Sequence, residues 1–153
     1  MFFGVLLIAR RLPIVQRVSL SLLIPYIFMV IVATIITRSP SAERGAVLTP
    51  FVAFKEALTN DFWDFEIKAN ILMFIPFGFL LSMVINRLNG IPLLVGLLSS
   101  VTIETVQYIT HRGVFETDDI ITNFMGILIG FIIFMPIKMT LDAYLPTKKQ
   151  SKE

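Results

Sequence analysis

Four long apolar segments, separated by polar connections, dominate the pattern of hydrophobic and polar positions along the chain. They cover residues 18–37, 69–85, 91–110 and 119–139, and each has 17 to 21 residues with few or no charged side chains. A hydrocarbon core about 30 Å thick is crossed by roughly 20 helical residues at about 1.5 Å per residue. The pattern therefore predicts an all-α membrane protein built as a bundle of four transmembrane helices.

Small residues inside these segments indicate how the helices pack. Pro76 and Gly78 interrupt the second segment, and such a position lets a neighbouring backbone come close. Gly126 and Gly130 form a small-xxx-small face on the fourth segment. We expect close helix crossings at both places.

A stripe of large apolar side chains in the polar connection before the second segment predicts an additional helix. The stripe members recur every three or four residues and are Phe51, Phe54, Leu58, Phe62 and Phe65. Thr49 followed by Pro50 is typical of a helix start. Because charged residues are interspersed, this amphipathic helix, about residues 50–65, is predicted to lie in the membrane interface. The alternative is a lid over a polar site.

The remaining segments flank one transmembrane domain, residues 18–139. Residues 1–17 contain a short apolar stretch followed by Arg10 and Arg11, the opposite order to a signal peptide, so a membrane-surface segment is the better interpretation. Residues 140–153 form a polar tail that ends with three lysines in its last six residues. We interpret it as a basic cytoplasmic tail.

Composition supports membrane insertion and excludes other classes. The chain is 56% hydrophobic and 16% charged, with a mean hydropathy of +0.81, whereas soluble domains average about 45–50% apolar and about 25% charged. A net charge of +2 gives no indication of nucleic-acid binding. Cysteine is absent, which excludes disulfide and thiol chemistry.

The distribution of positive charge predicts the orientation. Eight Lys and Arg residues fall before the first segment, between the second and third, and at or beyond the end of the fourth, against five in the other two connections. Since positively charged connections tend to stay in the cytoplasm, both termini are predicted to be cytoplasmic. The second and fourth helices then begin, and the third ends, at the outer face.

Polar side chains within or beside the predicted spans concentrate at that outer end. They are Asn70, Glu104, Gln107, His111, Arg112, Glu116, Asp118, Asp119 and Asn123. Ionisable groups at membrane depth are energetically expensive and usually functional. Helical spacing puts the polar residues of the third span on one face and those of the fourth, together with its two glycines, on another. We expect these two faces to meet and form a site.

The residue types at this end suggest roles. If the protein is an enzyme, Glu104 is the candidate general acid or base, with Asp118 or Asp119 as the second carboxylate. The candidate substrate-binding residues are Asn70, Gln107, Arg112 and Asn123. Carboxylates this close in sequence could also hold a divalent cation, but no ligand loop of recognisable spacing is present. The sequence therefore indicates no metal and no cofactor.

Each role has a structural alternative. Glu104 could be half of a salt bridge to Arg112 or Lys68 that locks the bundle. Asp118 and Asp119 are residues that a helix N-terminus favours in any case. The amides could serve only as hydrogen bonds between helices. His111, the sole histidine, is interpreted as a solvated boundary residue.

The order of these residues within about residues 67–135 resembles the VanZ-like family of small bacterial membrane proteins. The matching residues are Asn70, Phe74, Pro76, Phe77, Gly78, Glu104, Gln107, Arg112, Asp118, Asp119, Asn123 and Gly126. Glu116 departs from the family pattern, which often has aspartate there, but keeps the charge. The resemblance implies the bacterial cytoplasmic membrane and a role at the cell envelope. The family's namesake is linked to low-level resistance to teicoplanin-type glycopeptides, and the resemblance brings no settled reaction.

The sequence favours recognition, with chemical modification left open, of an outer-leaflet amphiphile. The expected partner is a membrane lipid, a lipid-linked envelope precursor or a lipoglycopeptide. The main rival is a non-catalytic binding or assembly module in which the polar groups only hold helices together. Transport ranks last because the cytoplasmic halves of the spans carry almost no polar groups.

Overall fold

The structure, a computed structural model, describes residues 13–40 and 45–144. Its helices are α1 (Ile14–Ile31), α2 (Val52–Glu56), α3 (Asp61–Ile85), α4 (Ile91–Ile109) and α5 (Thr117–Tyr144), with a π-helical turn, Val32–Ile36, continuing α1. Two short strands, β1 (Ala46–Val47) and β2 (Phe115–Glu116), pair in parallel. The predicted surface segment before residue 13 and the tail beyond residue 144 lie outside the described residues.

Four helices in the described part of the chain are long and apolar enough to cross a membrane. They are Ile14–Ile36, Asp61–Ile85, Ile91–Ile109 and Thr117–Ala143, with mean hydropathies between 1.3 and 2.4. The prediction of an all-α membrane bundle is confirmed. The second and fourth helices exceed their predicted spans, because polar first turns extend them beyond the apolar stretch.

The helix predicted over residues 50–65 is wrong in its extent. α2 covers only Val52–Glu56, and its preceding residue Phe51 has a left-handed φ of 66°, so the helix does not start at Thr49 and Pro50. Asn60 then adopts an extended conformation, and its side chain accepts a hydrogen bond of 3.0 Å from the Phe62 N–H. Because this cap starts α3, the second half of the phenylalanine stripe belongs to the long helix.

Helices α3 and α5 form the tightest crossing of the bundle. A Cβ atom built on Gly78 would lie 2.5 Å from the carbonyl oxygen and 2.6 Å from the Cα of Ile127. Gly126 and Gly130 meet the backbone of α3 in the same way, at the carbonyl oxygens of Ile71 and Ile75. The backbone approach predicted at Gly78 is confirmed, but the two glycines of α5 face α3 instead of α4.

Helix α1 lies along α3 in the opposite direction, and polar side chains attach the two. Gln16 donates to the Val84 carbonyl at 3.1 Å, and the Tyr26 hydroxyl donates to the Met73 carbonyl at 2.7 Å. The end of α4 packs against the π-helical turn. Farther along, α1 and α4 separate and leave an apolar crevice of about 440 Å³, with Phe74 and Phe77 of α3 in its lining.

One end of the bundle gathers most of the irregular structure. α1 and α4 end there, and α2, α3 and α5 begin there. The parallel β-ladder joins the two connections at this end by pairing Ala46 with Phe115 and Val47 with Glu116. The chain order thus brings the polar segments around residues 38, 70, 107 and 118 together.

Candidate functional site

Glu104 lies at the centre of the polar end and is 1% exposed. Its Oε2 accepts a hydrogen bond of 3.1 Å from the backbone N–H of Glu116, so the end of α4 is tied to strand β2. Ser100, Glu104 and Gln107 share one buried face of α4 by their spacing of four and three residues. The sequence prediction that a carboxylate is buried here agrees with this placement.

Neither basic residue suggested as an ion-pair partner bonds to Glu104. Lys68 pairs with Asp64 on the surface, with 2.5 Å between Nζ and Oδ2. Arg112 Nη1 donates to the backbone carbonyls of Ile35, Ile36 and Arg38 at 3.2, 3.0 and 2.8 Å. The salt-bridge alternative for Glu104 is therefore wrong for both residues.

Arg112 instead satisfies the end of α1. The last carbonyl groups of a helix have no partner within the helix, and the π-helical turn, with its Thr37 N–H to Val32 carbonyl bond, brings several of them toward α4. Gln107 Nε2 donates to the Thr34 carbonyl at 2.8 Å beside them. Two polar side chains from the end of α4 thus fix the end of α1.

In the described part of the chain, Arg38 is the cation that acts on the carboxylates of this end, a role that was not predicted from the sequence. Its charge acts on the carboxylates of Glu104, Glu116 and Asp119. Its Nη1 lies 3.1 Å from where a Cβ on Gly113 would stand, so glycine leaves room for the guanidinium. The available signal was its position as the first charge after the first span.

Asp118 is buried and both of its carboxylate oxygens accept backbone hydrogen bonds. Oδ1 accepts from Phe51 N–H at 2.6 Å and Oδ2 from Ala53 N–H at 2.7 Å. The residue therefore caps the N-terminus of α2, although it belongs to the first turn of α5. This is the capping alternative, realised on a helix 65 residues earlier in the chain.

Asp119 and Asn70 connect α5 with α3. Asn70 Nδ2 donates to Asp119 Oδ1 at 3.0 Å and contacts Thr122 Oγ1 at 3.5 Å. No bond to Asp119 Oδ2 is among the hydrogen bonds of the described residues. Asp119 thus keeps acceptor capacity that Asp118 has used.

Two buried amides donate hydrogen bonds but leave their oxygens unused. Asn123 Nδ2 donates to the Ser100 hydroxyl at 3.1 Å, so the polar part of the α5 face meets α4 as expected. Within the described part of the chain, Asn123 Oδ1 and Gln107 Oε1 are buried and have no hydrogen-bond partner. Such atoms are rare, and each needs an explanation such as an absent ligand or water.

Glu116 stands outside the helices, on β2, and its environment changes its acidity. Burial, with the negative charges of Asp119 and Glu66 and against the opposing charge of Arg38, raises the pKa of its carboxyl to about 7. A proton can therefore leave or join this carboxyl near neutral pH. The sequence analysis noticed Glu116 but gave it no role.

The site is rich in acceptors and poor in donors. In the described part of the chain, the carboxylates of Glu104, Glu116 and Asp119 lie within electrostatic range of the Arg38 guanidinium. Within residues 13–40 and 45–144, no three acidic or histidine side chains are arranged to hold a metal ion. Of the residues named from sequence, Asn70, Glu104, Gln107, Asp119 and Asn123 come together, whereas Asp118 and Arg112 bond mainly to backbone.

Comparison with known proteins supports the resemblance noted in the sequence. The "Protein VanZ" of Enterococcus faecium is 33% identical over 93 residues, which is 60% of this chain and 53% of that protein. The chain thus spans about half the length of this curated relative. No solved structure matches the chain. The VanZ/LLP1 family matches residues 18–139, which is most of the chain including all four helices that could cross a membrane, and the protein belongs to this family.

Proposed function

We propose that the polar end of the bundle recognises the head group of an outer-leaflet amphiphile. The observation that carries the proposal is that the buried oxygens of Gln107 and Asn123 have no hydrogen-bond partner among the described residues, at the end of the bundle where Glu104 is buried. A buried acceptor without a donor costs roughly 1–3 kcal/mol. A ligand that supplies hydroxyl or ammonium donors would recover that energy on binding.

The charge of the site favours the same head groups. Among the described residues, Arg38 is the cation that acts on Glu104, Glu116 and Asp119, while Arg112 is committed to backbone carbonyls. An anionic group would meet these carboxylates in a region of low dielectric, where repulsion is strong. Hydroxyl-rich or amine-bearing head groups, as in lipid-linked envelope precursors and lipoglycopeptides, fit this chemistry.

The orientation belongs to the proposal. The excess of Lys and Arg in the segments at the opposite end of the bundle supports cytoplasmic termini in a bacterial cytoplasmic membrane. The polar end would then face the cell exterior, where glycopeptides and lipid-linked precursors meet the membrane. Kinship with a VanZ protein supports a cell-envelope role for this chain, with teicoplanin-type resistance as one form of it.

Modification of the head group is the second step of the proposal. Glu104 would move the proton as general acid or base, and Asp119 would be the second carboxylate because its Oδ2 accepts no hydrogen bond from the described residues. Asp118 does not fit that role, since both its oxygens already bond to α2. Asn70 and Asn123 would orient the substrate.

A non-catalytic assembly module remains the second candidate, and specific contacts favour it. The Gln107, Asn123 and Asn70 amides each donate to another element of the bundle. In that case the polar groups hold helices together, and the unused oxygens carry ordered water. The two candidates differ in whether the site prefers one head group over another.

Matched lipids test the proposal. Phosphatidylethanolamine and phosphatidylcholine of identical chains share a phosphate, but only the first carries N–H donors; a glucosyl diacylglycerol adds hydroxyl donors without charge. We expect the purified protein in nanodiscs to bind the two donor lipids about tenfold more tightly than the choline lipid, the effect of one good hydrogen bond. Equal binding of all three lipids would favour the assembly module.

A further inference from the structure

We propose that the crevice between α1 and α4 holds one acyl chain of the amphiphile whose head group lies at the polar end. This inference rests on the proposed function, and it assigns a second part of the ligand to a different surface. It names the ligand class as an amphiphile that presents a single hydrocarbon chain to the protein. The second chain of a two-chain lipid would stay in the bilayer.

The lining of the crevice is hydrocarbon. Ten of the twelve residues that line it are aliphatic or aromatic, contributed by α1, the π-helical turn, α3 and α4. The other two, Ser99 and Thr102, turn their hydroxyls to the Val95 and Leu98 carbonyls of their own helix at 2.8 and 2.7 Å. The lining therefore offers little hydrogen bonding to a polar ligand.

The dimensions fit one acyl chain. The crevice follows α4 from Val95 to Val106, which is roughly 16 Å at 1.5 Å per residue. Its volume of about 440 Å³ over that length admits a flexible hydrocarbon chain.

The walls are held apart by contacts that do not involve the crevice. Gln107 and Arg112 fix the end of α1 to the end of α4, and Gln16 and Tyr26 attach α1 to α3 at two further levels. A shift of α1 away from α3 and onto α4 would break the bonds of Gln16 and Tyr26 to α3. The space is therefore maintained by contacts that lie outside it.

The crevice and the polar site adjoin at one pair of residues. Val106 and Ile35 line the crevice, and their chain neighbours Gln107 and Thr34 form the hydrogen bond between α4 and the π-helical turn. A chain lying in the crevice would thus have its head group at the same end as Glu104. The head group and one acyl chain of a single amphiphile can therefore occupy the two places together.

A matched pair of substitutions tests the inference. Thr102 and Thr105 are both exposed, and both donate their hydroxyl to the carbonyl four residues earlier at 2.7 Å, but only Thr102 lines the crevice. Thr102→Trp should fill the crevice, whereas Thr105→Trp adds the same bulk to the outer surface of α4. A glucosyl diacylglycerol with a diazirine on one acyl chain, at low mole fraction in nanodiscs, reports occupancy by photolabelling and peptide mass spectrometry.

We expect the wild type and Thr105→Trp to label at crevice residues of α1 and α4 above the level at Leu72 and Ile132, which lie exposed outside the crevice. In Thr102→Trp the crevice labelling should fall at least fivefold. Labelling of crevice and outer surface at equal intensity in the wild type would overturn the inference. Unchanged crevice labelling in Thr102→Trp would also overturn it.

Binding of lipids that differ only in their head groups, measured on the same variants, separates this inference from the proposed function. If the wild type prefers donor head groups but Thr102→Trp keeps the preference and the affinity, the polar site stands and the crevice assignment fails. If crevice labelling is strong and sensitive to Thr102→Trp but identical for ethanolamine and choline lipids, the crevice binds chains and the proposed head-group recognition fails. Loss of binding in Thr105→Trp as well would show that bulk anywhere on α4 disturbs the protein, and would overturn the assignment.

Discussion

The two sides of α3 are built in opposite ways. Toward α5, glycines bring backbones into contact, and Gly78, Gly126 and Gly130 leave no room for a single added carbon. Toward α1 and α4, large side chains and polar side-chain contacts hold the helices at a distance around a 440 Å³ crevice. One side of α3 therefore packs backbone against backbone, whereas the other side borders an apolar crevice.

The largest expected effect lies at the crossing of α3 with α5. Gly78→Ala places a Cβ 2.5 to 2.9 Å from three backbone atoms of Ile127, which cannot move aside as a side chain can. We expect a loss of about 3 kcal/mol in stability, measured by thermal unfolding in detergent. Gly90→Ala is the control, because a Cβ there meets nothing within 4 Å. Equal melting temperatures for the two variants would contradict the close crossing.

The next prediction concerns the cap that Asp118 provides for the start of α2, at the polar end of the bundle. Asp118→Ala removes the acceptor for two backbone N–H groups at the start of α2, and the bond to Ala53 is buried. A loss on the order of 2 kcal/mol is expected. Glu56→Ala, which removes an exposed carboxylate from α2 itself, should change stability little. If Asp118→Ala were as stable as Glu56→Ala, the capping role would be refuted.

A smaller effect is expected for a hydrogen bond that attaches α1, one wall of the crevice, to α3. Tyr26→Phe removes the hydroxyl that ties α1 to the Met73 carbonyl, at an expected cost of about 1 kcal/mol. Tyr108→Phe removes an exposed hydroxyl from α4 and should leave the melting temperature unchanged. The difference between these two tyrosine variants measures how firmly α1 holds the crevice wall. No difference would mean that α1 needs no polar tether.

A pH-dependent effect is expected from the proton on Glu116. Its pKa is raised from 4.5 to about 7, so the folded protein binds more protons than the unfolded chain between these values. This contribution to stability is present below pH 4.5 and is lost as the pH rises through 7. Glu116→Gln should therefore match the wild type near pH 4.5 and unfold at a higher temperature near pH 7.5. A constant difference across that pH range would argue against a raised pKa.

The positions of the spans were readable from the sequence because their signal is local. Twenty apolar residues specify a membrane helix without knowledge of its neighbours. The clustering of Glu104 and Asn123 at one end also followed, since helix direction alternates and spacing sets the face. Gly78 gave a correct indication of a close crossing for the same reason.

The sequence did not predict the hydrogen-bond partners that depend on tertiary contacts. Asp118 caps a helix that precedes it by 65 residues, and no local pattern announces such a bond. Arg112 was expected near carboxylates but meets the carbonyls that a π-helical turn exposes. The break at Asn60 was locally visible as an N-cap, yet the phenylalanine stripe that runs across it outweighed the signal.

The most direct test of the account is Glu104→Gln, with Glu56→Gln on the exposed surface of α2 as its control. Glutamine keeps the shape of the side chain and an oxygen for the Glu116 N–H, and the two ion pairs in the described part of the chain do not involve Glu104. We therefore expect the free energy of unfolding of both variants to lie within about 1 kcal/mol of that of the wild type. Only Glu104→Gln should lose the preference for ethanolamine over choline lipid. An unchanged preference would contradict a ligand-binding role. Unfolding of Glu104→Gln that is reversed by also neutralising Arg38 would contradict it too.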